Sequence, residues 1–487
     1  MSKEQKAYKL HMGPAACAVD LGDGSERGEY VCQDYILNSL GRPHRSINLM
    51  YCYYPLDKGW PTRASELDKT GNVSFAWNYA YDDYFPYTGG IGGSMEGEPF
   101  VSMKDIRRHG QDVTLTLTID CAVPDGHLIQ IARELKPYGR LLIRINHEAT
   151  GNWFAFNRRY TYQQVADFYV RFHRIIKQEA PNIRTILCIG EAPENETGEM
   201  KYEKEFKEAI KAADIWSGDY YLALNWGWPF TVAEPGGDTH KRYEVKEVFD
   251  ANLASFERFR VLNGGAVKPL VISEFNADGD VTGPYDQAAM MKEFYQMVRD
   301  EKAAWLTGIT CYQFRDKGRL GLELEDPNNH SNGIAQPLFE EYRKIIRDPW
   351  FQPTMDTGMD VKCPVRLRWG GFEDSDGLAV PLFFEKNPVF CEVLFEEDDN
   401  FNAMVELNGK WFYKKPGVKA IDLMPAFYER PLESGCELVF KLFAPPAEGV
   451  NDPTQGPDWA ENYYYVLRHL PKFRIRYKPT ELGRYMP

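Results

Sequence analysis

Short apolar, β-branched segments alternate with segments of helical spacing between about residues 45 and 348, and this alternation constrains the fold more than any other feature. Between the apolar segments, large hydrophobic residues recur every three or four positions, which is typical of helices that bury one face. Strands that alternate with helices form parallel sheets, and eight such units close into a barrel. The sequence therefore predicts a (β/α)8 barrel, or TIM barrel, over residues 45–348. The eight predicted strands are Ile47–Tyr53, Val73–Tyr79, Val113–Ile119, Leu141–Ile145, Ile183–Ile189, Tyr220–Leu224, Leu270–Ser273 and Gly308–Phe314.

The residues after Pro349 have a different pattern, in which strand-like segments follow one another without helical spacing between them. Val365–Trp369 and Leu378–Phe384 are examples, and Asn408-Gly409 lies between two later segments. An Asn-Gly pair in that position is a strong signal of a two-residue hairpin turn. We therefore expect an antiparallel β-sandwich domain over residues 349–487.

The first 44 residues belong to neither pattern. Pro14–Val19 is a candidate strand that either domain could include. We predict that residues 1–44 form an N-terminal segment that packs on the barrel or on the sandwich.

Composition limits the possible partners of the chain. Its 487 residues include 57 Lys and Arg against 71 Asp and Glu, a formal charge of −14, whereas nucleic-acid binding requires a basic surface. The N-terminus lacks the apolar core of a signal peptide, and no run of 18 apolar residues occurs. We therefore expect no nucleic-acid partner, no membrane association and a cytoplasmic location, or secretion if a signal peptide has been removed.

Two acidic residues directly follow apolar segments in the barrel region. The segment Leu141–Ile145 leads into Asn146, His147 and Glu148, and the segment Leu270–Ser273 is followed by Glu274. By the strand count these are the fourth and seventh strands, and barrel enzymes carry their active sites at this end of the strands. Two carboxylates across a barrel mouth can cleave an acetal, because one protonates the leaving oxygen and the other meets the oxocarbenium-like centre.

This chemistry favours an enzyme that hydrolyses an oligosaccharide or polysaccharide and that requires no metal ion or organic cofactor. A zinc site is a competing interpretation, because His147-Glu148 also begins the motif His-Glu-x-x-His. Residue 151 is glycine, however, so the second histidine of that motif is missing. We therefore predict no metal site.

The segment Arg144-x-x-His147-Glu148-x-x-Gly151-x-Trp153-Phe154 resembles the acid/base segment of glycoside hydrolase family 26, the β-mannanase-like members of glycoside hydrolase clan A. The resemblance implies a retaining mechanism with Glu148 as the general acid/base and Glu274 as the nucleophile. It also implies that His147 and Trp153 contact the sugar. We assign Arg144 and Asn146, which belong to the same segment, to the substrate-binding site as well.

Further residues near predicted strand ends are candidates for sugar-binding subsites. Sugar rings present C–H faces that stack on aromatic planes, and amide side chains can bond hydroxyl groups. The candidates are Trp77, Asn225, Trp226, Trp228 and Tyr312.

One departure from the clan leaves other functions open. Clan A enzymes commonly place a tyrosine after the sixth strand, where it hydrogen-bonds the nucleophile. With the sixth strand at Tyr220–Leu224, the residues that follow are Asn225-Trp226-Gly227-Trp228, without a tyrosine. A non-catalytic carbohydrate-binding protein therefore remains an alternative, as do a β-xylanase, a β-glucanase and an exo-acting β-glycosidase on the same barrel.

Overall fold

The computed structural model describes residues 5–23, 30–57, 59, 85–189, 198–226, 233, 237–329, 331–446 and 463–479. The strands of its first half are β1 (Tyr8–Gly13), β2 (Ala18–Gly22), β3 (Ser46–Tyr53), β4 (Phe85–Pro86), β5 (Asp112–Ile119), β6 (Leu141–Ile145), β7 (Ile183–Cys188), β8 (Ile215–Asp219), β9 (Ala223–Asn225), β10 (His240–Arg242), β11 (Leu270–Phe275) and β12 (Leu306–Cys311). Those that follow are β13 (Arg315–Asp316), β14 (Glu323–Glu325), β15 (Gly333–Ala335), β16 (Thr354–Asp360), β17 (Val365–Trp369), β18 (Ser375–Phe384), β19 (Phe390–Leu394), β20 (Ala403–Leu407), β21 (Lys410–Lys414), β22 (Ala420–Asp422), β23 (Cys436–Phe443), β24 (Tyr463–Leu467) and β25 (Lys472–Arg476).

The described α-helices are α1 (Gln33–Leu40), α2 (Phe100–Arg108), α3 (Asp125–Leu135), α4 (Ala155–Arg159), α5 (Tyr162–Glu179), α6 (Glu203–Ala212), α7 (Val245–Leu262), α8 (Gly279–Thr282), α9 (Pro284–Asp300), α10 (Pro337–Ile345) and α11 (Pro425–Glu429). Short 3-10 helices occupy Lys136–Tyr138 and Pro349–Phe351. No helix in the described part of the chain has both the length and the apolar composition needed to cross a membrane.

Eight parallel strands form a closed barrel. They pair in the order β2, β3, β5, β6, β7, β8, β11 and β12, and β12 pairs with β2 to complete the ring. β3 and β5 are buried along their whole length, as expected for a parallel sheet covered by helices. The predicted (β/α)8 barrel is therefore confirmed.

Helix α5 illustrates how the sequence encodes the outer layer. Thr161 accepts a hydrogen bond from the Gln164 N–H at 3.3 Å, and the Gln164 side chain accepts one from the Thr161 N–H at 2.9 Å. This reciprocal capping box fixes the start of the helix. The apolar residues Val165, Phe168 and Phe172 then recur on one face, and all three are buried against the barrel.

The first barrel strand differs from the prediction. It is β2, within the segment that we assigned to residues 1–44, so the barrel begins before residue 45. The predicted strand Val73–Tyr79 lies outside the described residues, and the ring closes through eight strands that the structure describes. β2 has only five residues with Asp20 at its centre, so its apolar pattern is too short to recognise. The carboxylate of Asp20 is satisfied by the Arg45 guanidinium and by the Ser46 N–H and hydroxyl.

The sixth strand also lies elsewhere than predicted. It is β8, which ends at Asp219, and the predicted segment Tyr220–Leu224 follows it. β8 contains the polar residues Ser217 and Asp219, and both form hydrogen bonds with Ser273 of β11. A prediction based on apolar residues therefore placed the sixth strand too late in the chain, at Tyr220–Leu224.

The C-terminal region is an antiparallel β-sandwich, as predicted. One sheet has the order β16, β1, β18, β23, β20, β21, with β17 paired to β18 and β24, and the other has the order β22, β19, β25. Val380 and Phe440 of the first sheet and Val393 and Phe473 of the second belong to one apolar core. Asn408 and Gly409 turn between β20 and β21 with φ of 54° and 78°, and positive φ at both central residues is the requirement of a type I′ hairpin turn.

The sandwich packs against the N-terminal ends of the barrel strands. Trp369 and Met404 of the sandwich lie against Gly110, where an added Cβ would be 2.9 Å from the Trp369 ring. The guanidinium of Arg140, which directly precedes β6, donates to the Gly370 carbonyl at 3.0 Å. β1 belongs to the sandwich and β2 to the barrel, so the N-terminal segment joins both domains. These contacts lie at the end of the barrel opposite to the C-terminal ends of its strands.

Candidate active site

Glu148 and Glu274 meet at the C-terminal end of the barrel. Glu274 lies in β11, the seventh barrel strand, and Glu148 lies three residues after the end of β6, the fourth. One carboxylate oxygen of each lies within 4.8 Å of the other, and an oxygen of Asp219 lies within the same distance of both. Glu274 is 6% exposed and Glu148 is half-buried. Two acids that are 126 residues apart in the chain (274 − 148) therefore belong to one site.

Glu274 is held by a hydrogen bond to each carboxylate oxygen. Arg144 Nη2 donates to Oε1 at 2.6 Å, and the Tyr221 hydroxyl donates to Oε2 at 2.7 Å. Hydrogen bonds to a charged acceptor are among the stronger ones in proteins. They stabilise the ionised carboxylate and fix its orientation.

Arg144 connects three barrel strands beneath the site. It is fully buried, and its Nε donates to Thr116 Oγ1 at 2.7 Å while its Nη1 donates to Asp219 Oδ2 at 3.0 Å. Burial alone would lower the pKa of Arg144, but the charges of Asp219 and Glu274 raise it well above its usual value. The guanidinium therefore stays charged. Glu148, Asp219 and Glu274 are close enough together to ligate a metal ion, and the charge of Arg144 compensates the negative charge of this group.

We expect Arg144→Met to lower the free energy of unfolding by about 3–5 kcal/mol, because it leaves Asp219 and Glu274 buried without their partner. Chemical denaturation monitored by circular dichroism measures the change. The matched control is Arg133→Met, which removes an exposed ion pair to Glu179 at 2.8 Å and is expected to cost less than about 1 kcal/mol. Equal effects of the two substitutions would contradict a structural role for the Arg144 cluster.

Asp219 is a site residue that the sequence analysis missed. Its carboxylate is buried and accepts hydrogen bonds from Arg144 and, at 2.7 Å, from Ser273 Oγ. The misplacement of the sixth strand concealed it, because Asp219 then appeared to precede the strand. The correct strand end would have placed it at the barrel mouth.

Tyr221 corrects the prediction that no tyrosine follows the sixth strand. It lies two residues after β8, and its hydroxyl donates to Glu274. Burial raises the pKa of Tyr221 well above its usual value, and the charge of Glu274 raises it further. The phenol therefore remains protonated and acts as a donor. The neighbouring Tyr220 instead bonds Ser255 Oγ of α7 at 2.7 Å.

The turn that presents Glu148 has an unusual backbone. Asn146 and Glu148 have φ of 47° and 49°, a left-handed conformation that few non-glycine residues adopt and that is often found at functional sites. The Asn146 side chain fixes this turn, since its Oδ1 accepts from the Ile119 N–H at 2.7 Å and its Nδ2 donates to the Ile119 carbonyl at 3.1 Å. Trp153, 40% exposed, donates from Nε1 to Glu148 Oε2 at 2.6 Å.

His147 is buried beside the acidic pair. Its Nε2 lies 3.8 Å from Glu274 Oε1, and its ring centroid lies 4.6 Å from that of Phe154. Burial lowers the pKa of His147 well below its usual value, and the charge of Arg144 lowers it further. The imidazole is therefore neutral next to Glu274.

The remaining predicted site residues lie against Tyr221, on the segment that follows β8, or outside the described chain. Tyr312 is buried, with its ring perpendicular to that of Tyr221 at a centroid distance of 6.2 Å. Asn225 ends β9 and is buried, and Trp226 follows it with 46% of its surface exposed. Trp77 and Trp228 lie outside the described residues.

The fold and the site together define a (β/α)8-barrel protein with an acidic pair at the carboxyl ends of its fourth and seventh strands. No protein-family model and no curated protein sequence matches the chain. Solved structures that resemble it include a GH26 β-mannanase from Bacteroides ovatus, at 9% identity and a TM-score of 0.42, covering 69% of this chain and 89% of that one.

Two other similar structures are a family 51 α-L-arabinofuranosidase from Bifidobacterium longum and a family 39 glycoside hydrolase from Bacteroides cellulosilyticus. The first has 11% identity and a TM-score of 0.40 and covers 90% of this chain and 97% of its own. The second has 12% identity and a TM-score of 0.43, and the match covers 88% of this chain and 80% of that one. The assignment of the fold rests on the strand pairing of this chain.

Proposed function

We propose that this protein is a retaining glycoside hydrolase that cleaves β-linked glycans, with Glu148 as the acid/base and Glu274 as the nucleophile. The observation that supports it is that one oxygen of the Glu148 carboxylate lies within 4.8 Å of one oxygen of the Glu274 carboxylate. Retaining enzymes keep their two carboxyl groups about 5–5.5 Å apart, whereas inverting enzymes need about 6.5–9.5 Å to admit a water molecule between carboxylate and sugar. The spacing in this site favours direct attack by a carboxylate.

In the first step, Glu274 attacks the anomeric carbon while Glu148 donates its proton to the departing glycosidic oxygen. Arg144 and Tyr221 hold Glu274 ionised and oriented. The negative charge of Glu274 favours a protonated Glu148, because two carboxylates at this distance are not readily ionised together. The products are the released glycan end and a glycosyl ester on Glu274.

In the second step, Glu148 accepts a proton from water, which attacks the anomeric carbon and breaks the ester. Esterification removes the charge of Glu274, so the ionised form of Glu148 is no longer opposed. The indole N–H of Trp153 donates to Glu148 and stabilises that ionised form. Two displacements at one carbon return the original β configuration.

His147 and Trp153 are proposed to contact the sugar bound at this centre. A neutral imidazole both donates and accepts a hydrogen bond, and so can bind a sugar hydroxyl without opposing the charge of Arg144. The half-exposed Trp153 offers an aromatic plane beside Glu148. Arg144 acts through Glu274, and Asn146 acts through the turn that presents Glu148.

We propose a β-mannan-type oligosaccharide or polysaccharide as the substrate, supported by the resemblance of Arg144–Phe154 to the family 26 segment. Product analysis of digests of mannan, xylan and mixed-linkage glucan tests this choice. Preferential cleavage of mannan agrees with it, and preferential cleavage of xylan or glucan assigns another substrate to the same site. Glycan binding without hydrolysis across the panel would identify a non-catalytic binding protein and overturn the proposed activity.

We expect Tyr221→Phe to lower kcat about 10- to 100-fold, because a hydrogen bond to a charged group contributes about 1.5–3 kcal/mol. Steady-state kinetics on an aryl β-glycoside measures the effect. Tyr220→Phe is the matched control, since the hydroxyl of this adjacent tyrosine bonds Ser255 Oγ of α7. A similar loss in both variants would indicate a general effect of these tyrosines on stability, and no loss in Tyr221→Phe would remove Tyr221 from the mechanism.

A further inference from the structure

The segment after Tyr221 is attached to the chain that continues from the nucleophile. Tyr221 bonds Glu274 through its hydroxyl, and the Leu222 N–H donates to the Asn276 carbonyl at 2.8 Å. Ala223 then forms a parallel bridge with Ala277. Successive residues of the segment thus pair with successive residues after Glu274, so the two stretches run side by side away from the acidic pair.

Asp278 makes the last contacts of this attachment. Its N–H donates to the Ala223 carbonyl at 2.9 Å, and its carboxylate accepts from the Asn225 N–H at 3.1 Å and from the Asp280 N–H at 2.8 Å. The residue is 4% exposed. The next residue after Asn225 is Trp226, which is 46% exposed. The buried carboxylate of Asp278 therefore binds the backbone of Asn225, the residue directly before the exposed Trp226.

The ionised form of Asp278 lowers the stability of the fold. Burial raises its pKa from 3.8 to about 6; the N–H groups of Asp280 and Asn225 oppose this shift, and the charges of Asp280 and Asp316 add to it. Arg319 lies 3.5 Å from Asp280 and forms an ion pair with it. Because the folded state holds the proton more tightly than the unfolded state, the contribution of Asp278 to stability falls as pH rises from about 4 to about 6.

We propose that Asp278 is a positioning residue that holds Trp226 at the barrel mouth as the aromatic platform of an outer glycan subsite. The inference rests on the proposed function and extends it, because it assigns the protein a substrate longer than the two sugars that flank the cleaved bond. Trp226 contacts a sugar unit farther along the glycan, and Asp278 acts on that unit only through the backbone of Asn225.

Kinetics on substrates of two lengths test the assignment. We expect Asp278→Ala to raise KM for a mannan hexasaccharide roughly two- to tenfold, the range that one aromatic stacking contact provides. The KM for an aryl β-mannoside, which does not reach an outer subsite, should not change. Asp300→Ala, an exposed aspartate at the far end of α9, is the control and should change neither value. Equal rises for the two substrates would overturn the inference.

A double-substitution cycle separates positioning of Trp226 from a general loss of stability. Trp226→Ala alone should raise KM for the hexasaccharide as much as Asp278→Ala does. In the Trp226→Ala background, Asp278→Ala should add less than about twofold, since residues that act as one unit are not additive. Additive effects would contradict the inference. Asp278→Asn keeps one acceptor for the Asn225 N–H, and we expect it to restore most of the hexasaccharide KM.

Fluorescence tests the same link without any hydrolysis. The emission difference between the native protein and Trp226→Phe isolates the Trp226 signal. In the native protein this signal should titrate with a midpoint near pH 6, and in Asp278→Asn the titration should be absent. An unchanged midpoint in Asp278→Asn would overturn the positioning role. A native titration in a protein that cleaves no glycan would preserve that role and overturn the proposed activity instead.

Discussion

Glu274→Ala is expected to lower kcat/KM on an aryl β-glycoside by about 10⁴-fold or more, which corresponds to about 5 kcal/mol of transition-state stabilisation. The substitution removes the group that attacks the anomeric carbon and that also receives the hydrogen bonds of Arg144 and Tyr221. Steady-state kinetics measures the loss. The control is Glu247→Ala, an exposed glutamate of α7, which should retain native activity.

Azide distinguishes the loss of a nucleophile from a general disruption of the site. The shortened side chain of Glu274→Ala leaves room for azide to attack from the same face, while Glu148 still protonates the leaving group. We therefore expect azide to restore turnover and to yield an α-glycosyl azide from a β-glycoside. Native activity in Glu274→Ala would remove this residue from the mechanism, and a β-glycosyl azide would show that it is not the nucleophile.

Glu148→Ala should have an effect that depends on the leaving group. For a glycan, whose leaving alcohol needs a proton, we expect a loss of about 10²–10⁴-fold in kcat/KM, the usual contribution of a general acid. For a 2,4-dinitrophenyl glycoside the first step needs no proton, so the ester on Glu274 should form and accumulate. Pre-steady-state release of dinitrophenolate measures this accumulation as a burst.

Azide should also act on Glu148→Ala, with the opposite stereochemistry. It attacks the glycosyl ester without needing a base, so the expected product is a β-glycosyl azide. Equal losses for the glycan and the dinitrophenyl glycoside would contradict the assignment of Glu148 as the acid. The opposite configurations of the two azide products assign the two carboxylates separately.

The barrel was predictable from sequence because its strands are buried on both faces. Segments rich in aliphatic and β-branched residues, such as β3 and β5, fit that environment and are buried along their whole length. The two strands that prediction misplaced or overlooked, β2 and β8, carry Asp20 and Asp219 within them. Both acids are buried only because cations from other strands pair with them, Arg45 for the first and Arg144 for the second. Such pairing between strands is not visible in a local apolar pattern.

The same limit explains which part of the site could be predicted. Glu148 and Glu274 follow apolar segments, so the predicted strand ends locate them. Tyr221 was predicted to lie within the sixth strand, whereas the observed strand β8 ends at Asp219, two residues before Tyr221. An error of five residues in the start of one strand therefore removed both Asp219 and Tyr221 from the predicted site. Asn146 was predicted to bind substrate, and its observed bonds to Ile119 depend on a left-handed turn that spacing does not reveal.

The configuration of the first product tests the paired-carboxylate mechanism most directly. Proton NMR of a fresh hydrolysis mixture separates the two anomers of the released sugar before mutarotation equilibrates them. The mechanism predicts that the β anomer appears first, because Glu274 and then water each invert the same carbon. Initial appearance of the α anomer would contradict it, since a single inversion has no place for an ester on Glu274.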